Sequence, residues 1–395
     1  MTAKWWRPNY CPIGIDLGTS SVKLIQLERT GDGVRVIAAS AVSLPQGVHP
    51  DTPEYHPAVG EAIKRALNKG AFHGKACVSS MPSAVMQYKN LRLPVMPEAE
   101  LAAAVQWEAA DRVRYPGQTP VVQFFDAGDV RQGTETRREV ILVAAPDRFI
   151  KQHTATLQAA GLRPEAIDAA PAALARCLNE SNRLQEVASR LAEPGSTAAP
   201  AGLASSEGAA ATTPASPAQV ILEFGYSSSN IVIAMGESVV FFKQLPIGSG
   251  CLDEAAVESL GWSPEQVAAI RRGDTDDERP TAEHAERYAA YAAATQTLVN
   301  DLGREIGLCL RYFTVTFRGA RPETVSLIGG AGDQAFADRL TPLAGVAVLP
   351  KDPLAGLDLT PVRSAVPRST HAAWGLAAGL SLRDHCCSDC VKGAA

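Results

Sequence analysis

The chain has 395 residues, 46% hydrophobic and 20% charged, with a formal net charge of −5. That is enough apolar material for a sizeable core and two or three domains, and the negative balance argues against a general nucleic-acid binder. No run approaches the roughly 20 apolar residues of a membrane-spanning helix, and the leader 1–12, with Lys4 and Arg7 beside Trp5 and Trp6, lacks a signal-peptide core and reads as flexible.

The first patterned stretch is IGIDLGTSSVKLIQL at 13–27. Two apolar runs flank a turn of Gly18, Thr19, Ser20 and Ser21, which predicts a β-hairpin whose tip offers backbone N–H groups to an anion. Lys23 adds a point charge. Asp16, at the end of the first strand, is placed to hold a hydrated magnesium ion that bridges phosphate oxygens. Residues 31–45 predict another strand pair about Asp32-Gly33, residues 55–68 an amphipathic helix, and 75–82 a strand. From 83 to 161 the pattern is strand, helix, strand, strand, helix, with a charged turn at 129–138. Trp107 and Phe124 there are expected to be core. An alanine-rich helix follows over 164–180. Residues 181–218, dominated by Ala, Ser, Thr, Pro and Gly towards their end, are expected to be disordered.

The pattern then recurs. QVILEFGYSSSNIVI at 219–233 repeats strand, acid-x-Gly, small hydroxyl residues and strand, with Glu223 and Gly225 in the places of Asp16 and Gly18, followed by Tyr226 and Ser227. A hairpin at 236–250, helices at 251–260 and 263–272, and one long helix over 281–318 come next. VSLIGGAG at 325–332 is a strand running into the Gly329-Gly330 turn, where backbone can approach a ligand closely. A strand at 346–354 and a small-residue helix at 371–380 close the chain. Cys77, Cys177, Cys251 and Cys309 sit in apolar contexts that suit reduced thiols. His385, Cys386, Cys387 and Cys390 could in principle bind a soft metal, but with no second ligand cluster a flexible tail over 386–395 is expected.

Two phosphate-type hairpins and a glycine turn, in this order, resemble the actin-like ATPase superfamily. LRLPVMPEAELAAAVQWEAADRV at 91–113, EVILVAAPDRFIKQHTATLQAAGLRPEAIDAAPAAL at 139–174, LPIGSG at 245–250 and LGREIGLCLRYF at 302–313 are similar to the type IV pilus assembly PilM family, in the FtsA and PilM branch. The resemblance implies an α/β, actin-like (ribonuclease H-like) two-domain ATPase fold with an inserted α+β subdomain. Its domains are 1–82 and 162–180 for the first half, 83–161 for the insertion, 219–370 for the second half and 371–385 for a helix returning to the first.

The resemblance further implies bound ATP and Mg. Gly18, Thr19, Ser20, Ser21, Lys23, Gly225, Tyr226 and Ser227 would meet phosphates, Gly329 and Gly330 the base and phosphates, and Arg304 and Glu305 the adenosine. Asp16 and Glu223 would hold the metal, with Asp168 placed to orient the attacking water. Most relatives carry Asp where Glu223 stands. The extra methylene moves the carboxylate by about 1.5 Å, a scale at which catalysis can fall a hundredfold, so at most a slow ATPase is expected. The implied role is a cytoplasmic scaffold of type IV pilus or type II secretion-like assembly, peripheral to the inner membrane through its partners. It would dock the cytoplasmic N-terminal peptide of a PilN-like inner-membrane protein and meet other pilus assembly components. Homo-oligomerisation is a further expectation from a superfamily that often polymerises. The alternatives are a small-molecule kinase of the same superfamily and a degenerate scaffold without nucleotide.

Overall fold

The computed structural model describes residues 9–31, 33–192, 218–272, 282–318 and 321–383. The leader's Trp5 and Trp6, Asp32, most of the Ala/Ser/Pro-rich segment and the Cys-rich tail lie outside them.

The chain starts with β1 (Tyr10–Leu17), β2 (Ser21–Thr30) and β3 (Gly33–Ser43), then α1 (Tyr55–Lys69) and β4 (Ala76–Ser80). Alternation sets the two faces of this sheet. Ile13, Ile15, Val22 and Leu24 are fully buried under α1, whose Val59, Ile63 and Ala66 meet them, each large side chain contributing about 1.5–3 kcal/mol. Thr30 pairs with Gly33, so the expected strand pair about Asp32-Gly33 is β2 with β3, and the stretch 33–43 is a single strand of that meander.

A short 3₁₀ turn at Ser83–Val85 leads into β5 (Gln87–Pro94), α2 (Glu98–Arg112), β6 (Pro120–Gln132) and β7 (Glu135–Pro146). These form a three-stranded sheet in the order β5-β7-β6. The expected charged turn at 129–138 is mostly strand, because Arg137 and Arg138 pair across the ladder with Val130 and Asp129, leaving only a two-residue tip. One sheet face packs on α2 through Leu93, Phe124 and Leu142. Trp107 is not core. Leu101, Val105 and Ala109 define the buried stripe of α2, and Trp107 projects away from it, 69% exposed.

Helix α3 (Asp147–Ala159) packs back on α1 and the first sheet through Phe149 and Leu157, so it adds to the first lobe rather than to the inserted sheet. A strand absent from the sequence reading, β8 (Arg163–Asp168), then pairs in parallel with β4. Next, α4 (Ala170–Ala192) runs 12 residues past 180, into the stretch expected to be disordered; Leu184 on that extension is buried against Leu354 and Val362.

The second half repeats the first. β9 (Ala218–Phe224), β10 (Ser229–Met235) and β11 (Ser238–Leu245) form a meander, and α5 (Ser249–Leu260), α6 (Pro264–Arg272), α7 (Ala282–Ala294) and α8 (Gln296–Phe317) follow. The predicted helix over 281–318 breaks at Thr295, whose hydroxyl donates to Tyr291 O at 2.9 Å and which adopts φ −98°, ψ 0°. β12 (Thr324–Ile328), α9 (Gln334–Ala344) and β13 (Ala347–Pro350) complete the lobe. The two large sheets have the same order, β3-β2-β1-β4-β8 and β11-β10-β9-β12-β13. A 3₁₀ segment, Arg368–Trp374, precedes α10 (Gly375–Ser381), which seats on β1 and α4. Small residues permit that approach: a Cβ on Gly379 would lie 1.9 Å from Ala173 O.

Candidate functional site

The repeated topology points two hairpin tips at each other. In the first lobe Asp16 lies opposite Lys23 across the β1–β2 ladder, and Lys23 Nζ donates to Asp16 Oδ2 at 3.0 Å. In the second, Glu223 lies opposite Asn230, whose Nδ2 donates to Glu223 Oε2 at 2.7 Å. Each acid is thus paired to the residue seven positions later, once by a cation and once by an amide. Between the tips, Thr19 Oγ1 meets Ser227 Oγ at 3.2 Å.

Burial, and then the charge of Asp16 across the cleft, push the Glu223 carboxyl up to about 7. A carboxyl whose ionisation is made costlier by a second acid across the cleft, with Lys23 as a counter-ion, is suited to a cation. Beside them Asn230 Oδ1 is a buried acceptor without a partner among the described residues. The tips are tight: a Cβ on Gly225 would lie 2.8 Å from Ser228 O. Gly329 closes the site from β12, at φ +111°, with a would-be Cβ 2.2 Å from Phe224 O, so backbone replaces side chain beside the second tip. Its N–H donates to Ala372 O at 2.9 Å. After Gly330 and Gly332, Asp333 caps α9 by accepting from Phe336 N–H at 2.8 Å.

The structure thus brings Asp16, Thr19, Lys23, Glu223 and Ser227 together, with Gly18, Ser20, Ser21, Gly225 and Tyr226 forming or flanking the tips and Gly329 and Gly330 abutting the second tip. Three expected residues are elsewhere. Asp168 is locked in ion pairs: Oδ1 accepts from Arg383 Nη1 at 2.8 Å and Ala169 N–H at 2.9 Å, and Oδ2 from Arg176 Nη2 at 3.1 Å. A carboxylate so engaged braces β8, α4 and the end of α10. Arg304 pairs with Asp301 on its own exposed helix face at 2.7 Å. Glu305 accepts from Lys243 Nζ on β11 at 2.6 Å. That edge strand is three places from β12, about 14 Å at ordinary strand spacing. Beyond the glycine turn, burial and then the charge of Asp333 push the Tyr288 hydroxyl on α7 up, and Arg339 on α9 donates to Ala292 O and Thr295 Oγ1 at 2.9 Å. Neither carries a sequence signal. Asn230 does, since the repeat aligns it with Lys23.

A second feature lies away from the tips. A groove of about 850 Å³ runs between the inserted unit and α4, lined by Leu101, Phe124, Arg138, Arg176, Arg183 and Val239 among others. No helix among the described residues is long and apolar enough to cross a membrane, and no group of three or more candidate metal ligands occurs among them.

Two sheets of one order, facing hairpin tips and a glycine turn define the class: this is an actin-like, two-domain fold. Residues 14–190, a little under half of the chain, match the family model described as type IV pilus assembly protein PilM. Among solved structures, the chain resembles a PilM–PilN type IV pilus biogenesis complex at a TM-score of 0.70 and 20% identity, over 94% of this chain and 98% of that one. It also resembles the ethanolamine utilization protein EutJ from Carboxydothermus hydrogenoformans, at a TM-score of 0.50 and 13% identity, over 95% and 90%. At these identities the likeness speaks to fold.

Proposed function

We propose that this chain is a nucleotide-binding scaffold of type IV pilus assembly that docks a short cytoplasmic peptide of a PilN-like membrane protein. One observation carries the reading: the span 14–190 that matches the PilM family model contains the first phosphate hairpin, the inserted unit and most of α4, and so one side of the cleft and most of the groove. The fold shared with the solved PilM–PilN complex supports it. In this reading ATP lies between the tips, with phosphates on the backbone of Gly18–Ser21 and Gly225–Ser227. Asp16 and, through its longer side chain, Glu223 would hold magnesium. The bound ion supplies charge neutralisation to the phosphates, while the pairing of Lys23 with Asp16 orients the carboxylate that would receive it. Membrane association would come through the partner.

The groove suits an extended peptide with apolar side chains and at least one polar anchor, because its lining combines Leu101, Phe124 and Val239 with Arg138, Arg176 and Arg183. Fluorescence anisotropy with a synthetic peptide of the partner's N-terminal cytoplasmic segment tests the docking site. Ser238→Trp fills the groove mouth from the exposed first residue of β11 and should weaken binding tenfold or more. No binding to the wild type, or equal binding to the variant, would remove the groove from the proposal.

A further inference from the structure

The inserted unit branches from the first lobe yet is fastened to the second. At its root, Ser83 Oγ meets Ser228 Oγ at 3.1 Å, and Gln244 Nε2 donates to Ser83 O at 3.2 Å. Ser228 belongs to the second hairpin tip, next to Ser227. Midway, Asn90 Nδ2 donates to Phe242 O at 3.4 Å. At the far end is a polar junction on the face of α8. Glu139 on β7 is 2% exposed. Its Oε2 accepts from Arg92 Nε at 2.9 Å, and its Oε1 accepts from the Tyr312 hydroxyl. Arg92 Nη2 also reaches Tyr312 OH at 3.3 Å and Thr316 Oγ1 at 3.4 Å. Arg92 and Glu139 are cross-strand partners within the inserted sheet, whereas Tyr312 and Thr316 belong to the core helix of the second lobe.

A buried carboxylate with both oxygens engaged holds its surroundings to one geometry, since sliding α8 away would leave it half-satisfied. Apolar packing of Phe125, Ile141 and Val143 against Val232, Val239 and Phe242 would tolerate such a slide. The directional bonds would not. The same sheet also supplies Phe124, Gly128 and Arg138 to the wall of the groove beside α4.

We propose that the Arg92–Glu139–Tyr312 junction is a positioning latch. Through it, occupancy of the cleft between the two hairpin tips sets the orientation of the inserted sheet, and with it the shape of the groove on that sheet's α4 side. This rests on the nucleotide reading given above. Phosphate entering between Thr19 and Ser227 displaces the tip carrying Ser228, the second lobe moves with it, and α8 carries the inserted sheet because Tyr312 holds Glu139.

Hydrogen exchange of the full chain with and without magnesium-ADP tests the latch without requiring a peptide. In the wild type, the ligand should slow exchange at the tips, 17–22 and 224–229, and also in β5 and β7. In Tyr312→Phe, which keeps the ring and removes the hydroxyl, protection of the tips should persist while the change in β5 and β7 falls to less than half. Glu139→Gln, a second near-isosteric variant, should behave alike. Equal changes in β5 and β7 for wild type and both variants would overturn the latch, as would a wild type protected at the tips alone. Absence of protection at the tips would instead show that the nucleotide reading has failed, and the latch with it.

Discussion

Thr19 and Ser227 are 208 residues apart in the chain, and their hydroxyls meet at 3.2 Å. The contact joins the tips of two hairpins built to one plan, each with an acid tied to the residue seven positions on. Anything that enters the cleft has to part these hydroxyls, and a ligand does so only through greater affinity for the parted state.

The glycine turn gives the sharpest stability contrast. Gly329→Ala forces a Cβ into Phe224 O at a positive φ, whereas a Cβ at Gly330 would make an ordinary 3.5 Å contact with Ala373. Thermal melts should show Gly329→Ala destabilised by about 2 kcal/mol or more and Gly330→Ala changed by less than about 1 kcal/mol.

Half-buried Glu223 and fully buried His153 give stability opposite pH slopes. Glu223, raised from 4.5 to about 7, binds its proton more tightly in the folded state, so its contribution is fully present below pH 4.5 and is lost as pH rises through 7. His153, 1% exposed, has its imidazole lowered from 6.5 to about 4, chiefly by burial and then by His56, so its contribution is present above 6.5 and is lost as pH falls through 4. Each amounts to at most about 3 kcal/mol. Denaturant titrations from pH 4.5 to 6.5 should therefore show stability rising more steeply with pH in Glu223→Gln than in wild type, and falling with pH in His153→Gln. Parallel curves for all three proteins would contradict both assignments.

Asp168 should act as a brace. Asp168→Asn leaves Arg176 and Arg383 facing a neutral amide and should cost about 3 kcal/mol in a denaturant melt. Magnesium-ATP affinity measured below the transition should stay within about threefold of wild type, about 0.7 kcal/mol. A selective loss of turnover with unchanged stability would restore a catalytic role.

Trp107 and Phe124 exchange their expected weights. Trp107→Ala removes a side chain that projects into solvent and should change stability by less than about 0.5 kcal/mol. Phe124→Ala opens the core between α2 and the inserted sheet and should cost about 3–5 kcal/mol.

Much of this was legible because hairpins write themselves locally. Asp16–Gly18 and Glu223–Gly225 could be found by eye since strand, turn and strand are contiguous, and their repetition is what pointed to a two-lobed fold. What failed depended on partners remote in sequence. RPEAID carries no strand pattern, and β8 exists because β4 offers it a parallel edge. Glu305 was assigned to a ligand when the side chain that takes it is Lys243, on a strand 62 residues earlier. Asp168 stood close to the expected place in the chain, but two arginines from α4 and the end of α10 converge on it. Trp107 was misjudged by weight alone: its offset of two from Val105 already placed it off the buried stripe.

Calorimetric titration of the full chain with magnesium-ATP, beside Asp16→Ala, shows whether the facing hairpins bind a magnesium nucleotide. Micromolar or tighter binding is expected, about −8 kcal/mol, weakened at least tenfold in the variant. No heat of binding, or equal affinity in both proteins, would contradict it and leave an actin-like scaffold whose cleft has lost its ligand.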